Sequence, residues 1–399
     1  MLGWELPPHN SGGLGVACYH MAKALAGAGA AVSFVLPYKA YHPKTSFMKI
    51  YPATKLDPLH RMGMGAYDTA ISEDTPNDNQ SAAAPVTVRA IQRRYVEFIK
   101  QHVINERPDV IHAHDWLTFE AGVAAKQATG VPLVVHVHAT EFDRAGNAHG
   151  NPLIHEIEYQ GLVAADRIIA VSDFTKRLIV RRYHIPEDKI EVVHNSIDTD
   201  TITAVEQADT YRYVSSLRTR GHLVVSTLGR LTLQKGLHHF LRGAAKACSV
   251  YDRFVFIVAG DGEQRNELIQ LSADLGISDK VIFTGFVRGQ RWRDVYAVSD
   301  VFVMSSISEP FGLTALEAAA NDTSLLISKQ SGVGEVLNNI LRYDYWDEQA
   351  LADRLVNLAS SVALRNELSC GVAKEFNRFS WSDVAKRCMR QYERAVAAI

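Results

Sequence analysis

Short apolar runs alternate with helix-type stretches along most of this chain, and that alternation limits the fold more than any other feature. The runs include DVIHAHD at 109–115, PLVVHVHATEF at 132–142, RIIAVS at 167–172, LVVSTLG at 223–229, RFVFIVAG at 253–260, KVIFTGF at 280–286, DVFVMSS at 300–306 and SLLISKQ at 324–330. They are apolar on both faces, as strands of a parallel sheet covered on each side must be. Strand–helix alternation in both halves predicts two doubly wound, Rossmann-like α/β domains. A chain of 399 residues is long enough for two such cores. We place the first domain at 1–215 and the second at 216–380, with the linker in the polar stretch Thr199 to Gly221.

Composition removes several function classes. The formal net charge is -2, so the basic surplus of a general nucleic-acid binder is missing and no nucleic-acid partner is expected. Cys18, Cys248, Cys370 and Cys388 are scattered without C-x-x-C spacing, which suits reduced thiols better than a disulfide frame. No apolar stretch has the length of a membrane span. Glu5 and two prolines interrupt the start, so no signal peptide is read there, and a cytoplasmic location is the expectation.

Four places carry chemistry. In Asp300 to Asn321, a strand-type run leads through Glu309-Pro310-Phe311-Gly312-Leu313-Thr314 into a helix start carrying Glu317. Gly312 lets backbone approach a ligand closely, and free amides at a helix start can hold an anion. A surface Glu-Pro turn before an ordinary helix is the alternative. After strand LVVSTLG come Arg230 and then Lys235, two cations at a strand's carboxyl edge that suit a diphosphate. Ser11-Gly12-Gly13-Leu14-Gly15 is a glycine turn inside a βαβ unit, without the G-x-G-x-x-G spacing of a dinucleotide site. Finally, His112 and His114 alternate on one strand and His136 and His138 on the next, each pair on one face. No carboxylate or cysteine pattern beside them completes a zinc signature, so no metal site is assigned; His112 and His136 are read as packed, hydrogen-bonded core residues. The long polar connection 39–85 is either a variable surface insertion or an acceptor-binding element, with YHPKTSFMKIYP its ordered part.

These motifs together resemble the retaining glycosyltransferases of family 4, in particular the glycogen- and starch-synthase branch. Glu309 and Glu317 match the E-x7-E signature, Arg230 and Lys235 its R-x4-K, and Gly12-Gly13-Leu14-Gly15 the GGLG turn. His114-Asp115-Trp116 is similar to the HDW of starch synthases, HATEFDRAGNAHG and the SKQSGV and DYW segments go with the same branch, and Asn195 stands at the family's Asn in its domain-closing turn. Asn10 stands where that branch commonly has Lys, so one cationic contact of the subgroup is missing. The resemblance implies a GT-B fold with an interdomain cleft, and a C-terminal helix at 381–399 crossing back onto the first domain. It implies a catalytic set of His138, Arg230, Lys235 and Glu309. It also implies donor contacts from Gly12, Gly13, Asp115, Asn195, Glu317 and the amides of Phe311, Gly312, Leu313 and Thr314. The implied substrates are ADP-glucose or UDP-glucose and an α-1,4-glucan or other carbohydrate acceptor, with no cofactor and no catalytic metal; the alternatives are a family-4 transferase acting on a lipid, a small molecule or a surface polysaccharide, and a non-catalytic carbohydrate-binding protein.

Overall fold

The computed structural model describes residues 1–9, 12–43, 45–55, 87–146, 149–198 and 211–398. The chain divides into two compact units. The first takes Met1–Glu141, Gly150–Asn195 and Trp381–Ile399; the second takes Phe142–His149 and Ser196–Ser380. The junction at Asn195 and Ser196 precedes the expected linker. Of that linker, 199–210 fall outside the described residues, and Arg212–Thr219 is helical. The reason lies in its buried Val214, which packs on Val224 and Ile257 of the second unit's sheet.

In the first unit, strands β3 (Ile111–His114), β4 (Leu133–Val137), β5 (Arg167–Ala170) and β6 (Ile190–Val192) form one parallel sheet in sequence order. A parallel pair, β1 (Val32–Leu36) and β2 (Met48–Pro52), joins it through Leu2, which bridges both Val35 and Ala113. Leu2 makes these isolated bridges and is not part of a longer strand. β2 falls within YHPKTSFMKIYP, so that part of the 39–85 insertion is sheet; 56–86 lie outside the described residues. Helices α1 (Gly13–Gly27), α2 (Val88–Glu106), α3 (Trp116–Thr129), α5 (Pro152–Ala164) and α6 (Asp173–Tyr183) connect the strands, while α4 (Glu141–Arg144) opens the segment that belongs to the second unit. Helix α2 starts at Val88, where Thr87 caps it by accepting from the Ala90 amide.

The second unit carries α7 (Arg212–Thr219), β7 (Leu223–Leu228), α8 (Leu237–Val250), β8 (Phe254–Ala259), α9 (Arg265–Asp274), β9 (Val281–Gly285), α10 (Gln290–Val298), β10 (Val301–Met304), α11 (Leu313–Ala319), β11 (Ser324–Ser328), β12 (Leu341–Tyr343), α12 (Glu348–Ser360) and α13 (Val362–Phe376). Its six strands are parallel, in the order β12-β11-β10-β7-β8-β9. The order reverses between β7 and β10, and doubly wound sheets bind ligands outside the carboxyl ends of strands at such a switch point. The last helix, α14 (Trp381–Val396), belongs to the first unit. There Gln391 accepts from Arg167 Nε at 3.1 Å, and the Tyr392 hydroxyl lies 2.7 Å from His112 Nδ1. The expected return of the C-terminal helix to the first domain is therefore observed.

Candidate active site

At the switch point of the second unit the chain leaves β7 through Gly229, Arg230 and Leu231. Main-chain bonds clamp this turn onto the end of β8: Gly229 N donates to Ala259 O, Leu231 N to Asp261 O and Gln264 N to Leu231 O, each at 3.0 Å. The approach is so close that a Cβ on Gly260, whose φ is +136°, would stand 1.8 Å from the Gly229 carbonyl oxygen. Arg230 is exposed, at the wall of a shallow pocket also lined by Lys235, Ser306, Glu309 and Thr314. Lys235 ends a single 3-10 turn before α8 and is held there as Ser305 Oγ donates to its carbonyl at 2.9 Å.

The loop after β10 meets it from the other side. Lys235 Nζ donates to Glu309 Oε2 at 2.5 Å, and Ser306 Oγ donates to the same oxygen at 2.8 Å. Glu309 is only 8% exposed. Its backbone is tied to the segment after β11, with Glu309 N donating to Gln330 O and Gly332 N to Glu309 O, both at 2.9 Å. Deeper in the loop, Ser308 Oγ donates to Asp143 Oδ1 at 2.5 Å. Gly312 starts α11 with φ +111°, and a Cβ there would meet Met304 Cε at 2.9 Å; only glycine fits both conditions. Phe311 is buried, while Leu313 and Thr314 are half-buried. Glu317 sits a turn inside α11 and accepts from the Tyr296 hydroxyl at 2.7 Å. Burial pushes its carboxyl up to about 7, against the lowering effect of hydrogen bonds from Tyr296 and Trp292. The structure thus brings Arg230, Lys235 and Glu309 to one pocket with Thr314 on its wall.

The remaining predicted residues lie in the first unit. Asp115 follows β3 with φ +57°, a left-handed conformation uncommon outside glycine. Its Oδ1 accepts from the amides of His138 at 2.6 Å and Ala139 at 3.3 Å, so it ties the ends of β3 and β4 together. His138 is buried, and its Nε2 lies 3.1 Å from His114 Nδ1. Burial pushes the His138 pKa down to about 3, so the ring is neutral at physiological pH and offers a hydrogen bond rather than a charge. Asn195 is buried at the end of the unit, its Oδ1 lacking a hydrogen-bond partner among the described residues. Gly12 and Gly13 begin α1, but the Gly12 amide already donates to Glu5 Oε2 at 3.0 Å. His112 is buried and bonded to Tyr392 as expected, whereas neither ring nitrogen of the buried His136 has a hydrogen-bond partner among the described residues.

The chain matches two family models in succession, Glycosyltransferase Family 4 over residues 11–201 and Glycosyl transferases group 1 over 214–369. An uncharacterized glycosyltransferase of Methanocaldococcus jannaschii is 30% identical over 73% of this chain and 76% of its own length. The chain belongs to the family-4 glycosyltransferases. The glycosyltransferase is also 28% identical to a glycogen synthase of Mycobacterium tuberculosis, over 85% of this chain and 80% of that one. It is 30% identical to a D-inositol 3-phosphate glycosyltransferase of Mycolicibacterium smegmatis, over 72% and 68%. Among solved structures, a sucrose-phosphate synthase from Thermosynechococcus elongatus superposes with a TM-score of 0.76 over 100% of this chain and 96% of that one, at 18% identity. That likeness establishes the two-domain GT-B type of fold.

Sequence reasoning missed several groups that position the glycosyltransferase's pocket. Ser306 shares Glu309 with Lys235, Tyr296 holds Glu317, and Asp143 braces Ser308. None has a local signature: Tyr296 stands on α10 and Asp143 in α4, far along the chain from their partners. Only the Gly260-Asp261-Gly262 turn after β8 left a trace, as two glycines around an acid at a strand end.

Proposed function

We propose that the protein is a retaining hexosyltransferase that carries glucose from ADP-glucose or UDP-glucose to an α-1,4-glucan. The observation that carries the reading is the meeting of Arg230, Lys235 and Glu309 at the switch-point pocket of the second unit. A sugar nucleotide departs as a diphosphate whose negative charge grows toward the transition state. Arg230 and Lys235 stabilise that charge, aided by the amides of Phe311 to Thr314. Glu309 keeps the Lys235 ammonium at the mouth of the pocket and stands beside the donor sugar, and Glu317 accepts from the ribose hydroxyls. His138, neutral, hydrogen-bonds the sugar; Asp115 fixes the His138 backbone, Asn195 adds a donor contact, and Gly12 and Gly13 serve the donor only by allowing close backbone approach, since Glu5 already takes the Gly12 amide. As the bond to the diphosphate breaks an oxocarbenium-like centre forms, and the acceptor hydroxyl attacks from the departing side, its proton passing to the leaving diphosphate. Two cations at the leaving group take the role a catalytic Mg²⁺ would have, so activity is expected to survive EDTA without Mg²⁺ or Mn²⁺ being restored.

The glucan acceptor is supported by the GGLG, HDW and DYW segments and by the similarity to a glycogen synthase. A second reading, transfer to a small phosphorylated acceptor, is favoured by the comparable similarity to an inositol-phosphate enzyme. A panel of sugar nucleotides assayed for transfer to glycogen and to inositol 3-phosphate separates the two. Transfer to glycogen with anomeric retention is the expected result. Donor hydrolysis or transfer only to the small acceptor would replace the glucan reading.

A further inference from the structure

Four imidazoles meet on one face of the first unit's sheet. His114 pairs in register with His136 across β3 and β4, and alternation puts His112 and His138 on the same face. All four are buried. The Nδ1 atom of His112 lies 2.7 Å from the Tyr392 hydroxyl, and that of His114 lies 3.1 Å from His138 Nε2. The nitrogens left over are Nε2 of His112, Nε2 of His114 and both nitrogens of His136, buried and lacking a hydrogen-bond partner among the described residues. One ligand atom from each of these three residues lies within 4.8 Å of the other two. An unsatisfied buried polar group costs about 1–3 kcal/mol, and valine or leucine would fill a sheet face without it.

We propose that His112, His114 and His136 bind a divalent late first-row metal ion, zinc in the first instance, as a structural centre of the first unit. Imidazole nitrogen suits zinc, copper or nickel and not magnesium or calcium. Metal-bound histidines characteristically hold their second nitrogen with another group; Tyr392 does this for His112 and His138 for His114. Nitrogens about 2.0–2.1 Å from a tetrahedral zinc stand roughly 3.3 Å apart, so binding draws each ring inward by less than about an ångström. Cys18 of α1 has its sulfur within 4.8 Å of ligand atoms of His114 and His138, where a bound dication would favour its thiolate and offset the buried charge. None of the three rings is among the residues proposed to touch the donor; His138, which holds His114, is the neighbour the two sites share.

The untagged full chain, purified from zinc-supplemented cells, is tested by elemental analysis, and the chelator-stripped unfolded chain is refolded with Co²⁺. About one zinc per chain and the visible absorption of tetrahedral Co²⁺ are expected. The double variant His112→Gln, His136→Gln should lose both signals while keeping its circular dichroism. Less than about a tenth of a metal per chain in both preparations overturns the proposal, as does undiminished binding by the folded double variant. Should that variant fail to fold, Tyr392→Phe leaves all three rings in place. It is expected to weaken zinc affinity about 10-fold or more in competition with a chromophoric chelator, and unchanged affinity overturns the assignment.

Discussion

Two glycine-led helix starts in this protein look alike in sequence and differ in what they leave open. At α1, Gly12 is extended, with φ -83° and ψ -170°, and its amide is taken by the carboxylate of Glu5. At α11, Gly312 is at φ +111° with no side-chain cap, next to a pocket that holds Lys235 and Glu309. The first turn has an internal anion at the positive end of its helix, and the second presents cations and no such acid on its first turn. A carboxylate at a helix start does the electrostatic work a phosphate would do there. Glycine and spacing mark where backbone comes close; the charge around the turn decides for what.

The sharpest way to break this contrast is to remove the cations. Arg230→Ala and Lys235→Ala are each expected to lower kcat by about 10²-fold or more, the scale of a lost transition-state charge contact. Thermal midpoints should stay near the parent for Arg230→Ala, whose side chain is exposed. Steady-state kinetics on both variants would discard the diphosphate role if either turned over normally.

The glycines come next. Gly312→Ala forces an L side chain into a positive-φ position against Met304 and Val333, so it should destabilise the fold by roughly 1–3 kcal/mol. Gly12→Ala meets only the flexible Glu5 carboxylate, at 3.3 Å, with an ordinary backbone. Its cost should stay within about 1 kcal/mol. Denaturant melts of the two variants giving equal losses would erase the distinction between the turns.

The same contrast explains what could be read from sequence. The alternation of apolar runs and helices shows the two sheets, because a strand covered on both faces is apolar at every position. Arg230 and Lys235 are legible because both lie just past one strand end. The Lys235–Glu309 pair was not, since it depends on β7 and β10 becoming neighbours at the strand-order reversal. The occupation of the Gly12 turn by Glu5 was hidden for a similar reason: nothing local says that the chain folds back onto its own amide.

Titration separates the units at smaller effect. His112, His114 and His136 are held well below the ordinary histidine range, and His138 near 3, so the first unit's histidine cluster is silent around neutrality. Glu317, raised to about 7, is not. Nucleotide affinity should rise as pH passes upward through 7, where the carboxylate that accepts from the ribose forms. Glu317→Gln should flatten that rise, and Tyr296→Phe, by removing a bond that lowers the pKa, should move it to higher pH. For stability the sign is opposite. Between 4.5 and about 7 the folded chain holds a proton that the unfolded chain has lost, so this group's contribution falls as pH rises through that window. Calorimetry showing the same pH dependence in Glu317→Gln would assign the inflection elsewhere.

The smallest effect concerns the acceptor, which the first unit is proposed to meet. Within the insertion, Phe47 packs edge-on against Tyr19 at 5.4 Å and Tyr51 against His102 at 4.4 Å. Both are half-buried, so replacing either with alanine removes packing as well as any surface it offers. Tyr41 is 81% exposed and holds His9 through its backbone oxygen alone, which Tyr41→Ala retains. An exposed ring beside polar groups suits the apolar face of a glucose unit. Tyr41→Ala is therefore expected to raise KM for maltooligosaccharide about two- to fivefold, the size of a single exposed ring contact. KM for the sugar nucleotide and the melting midpoint should not move. Phe47→Ala, by contrast, should lower the midpoint, and any change in its glucan KM has to be read against that loss. Equal glucan KM values in Tyr41→Ala and the parent would make this stretch a passive surface, and the acceptor would have to be sought on other elements of the first unit.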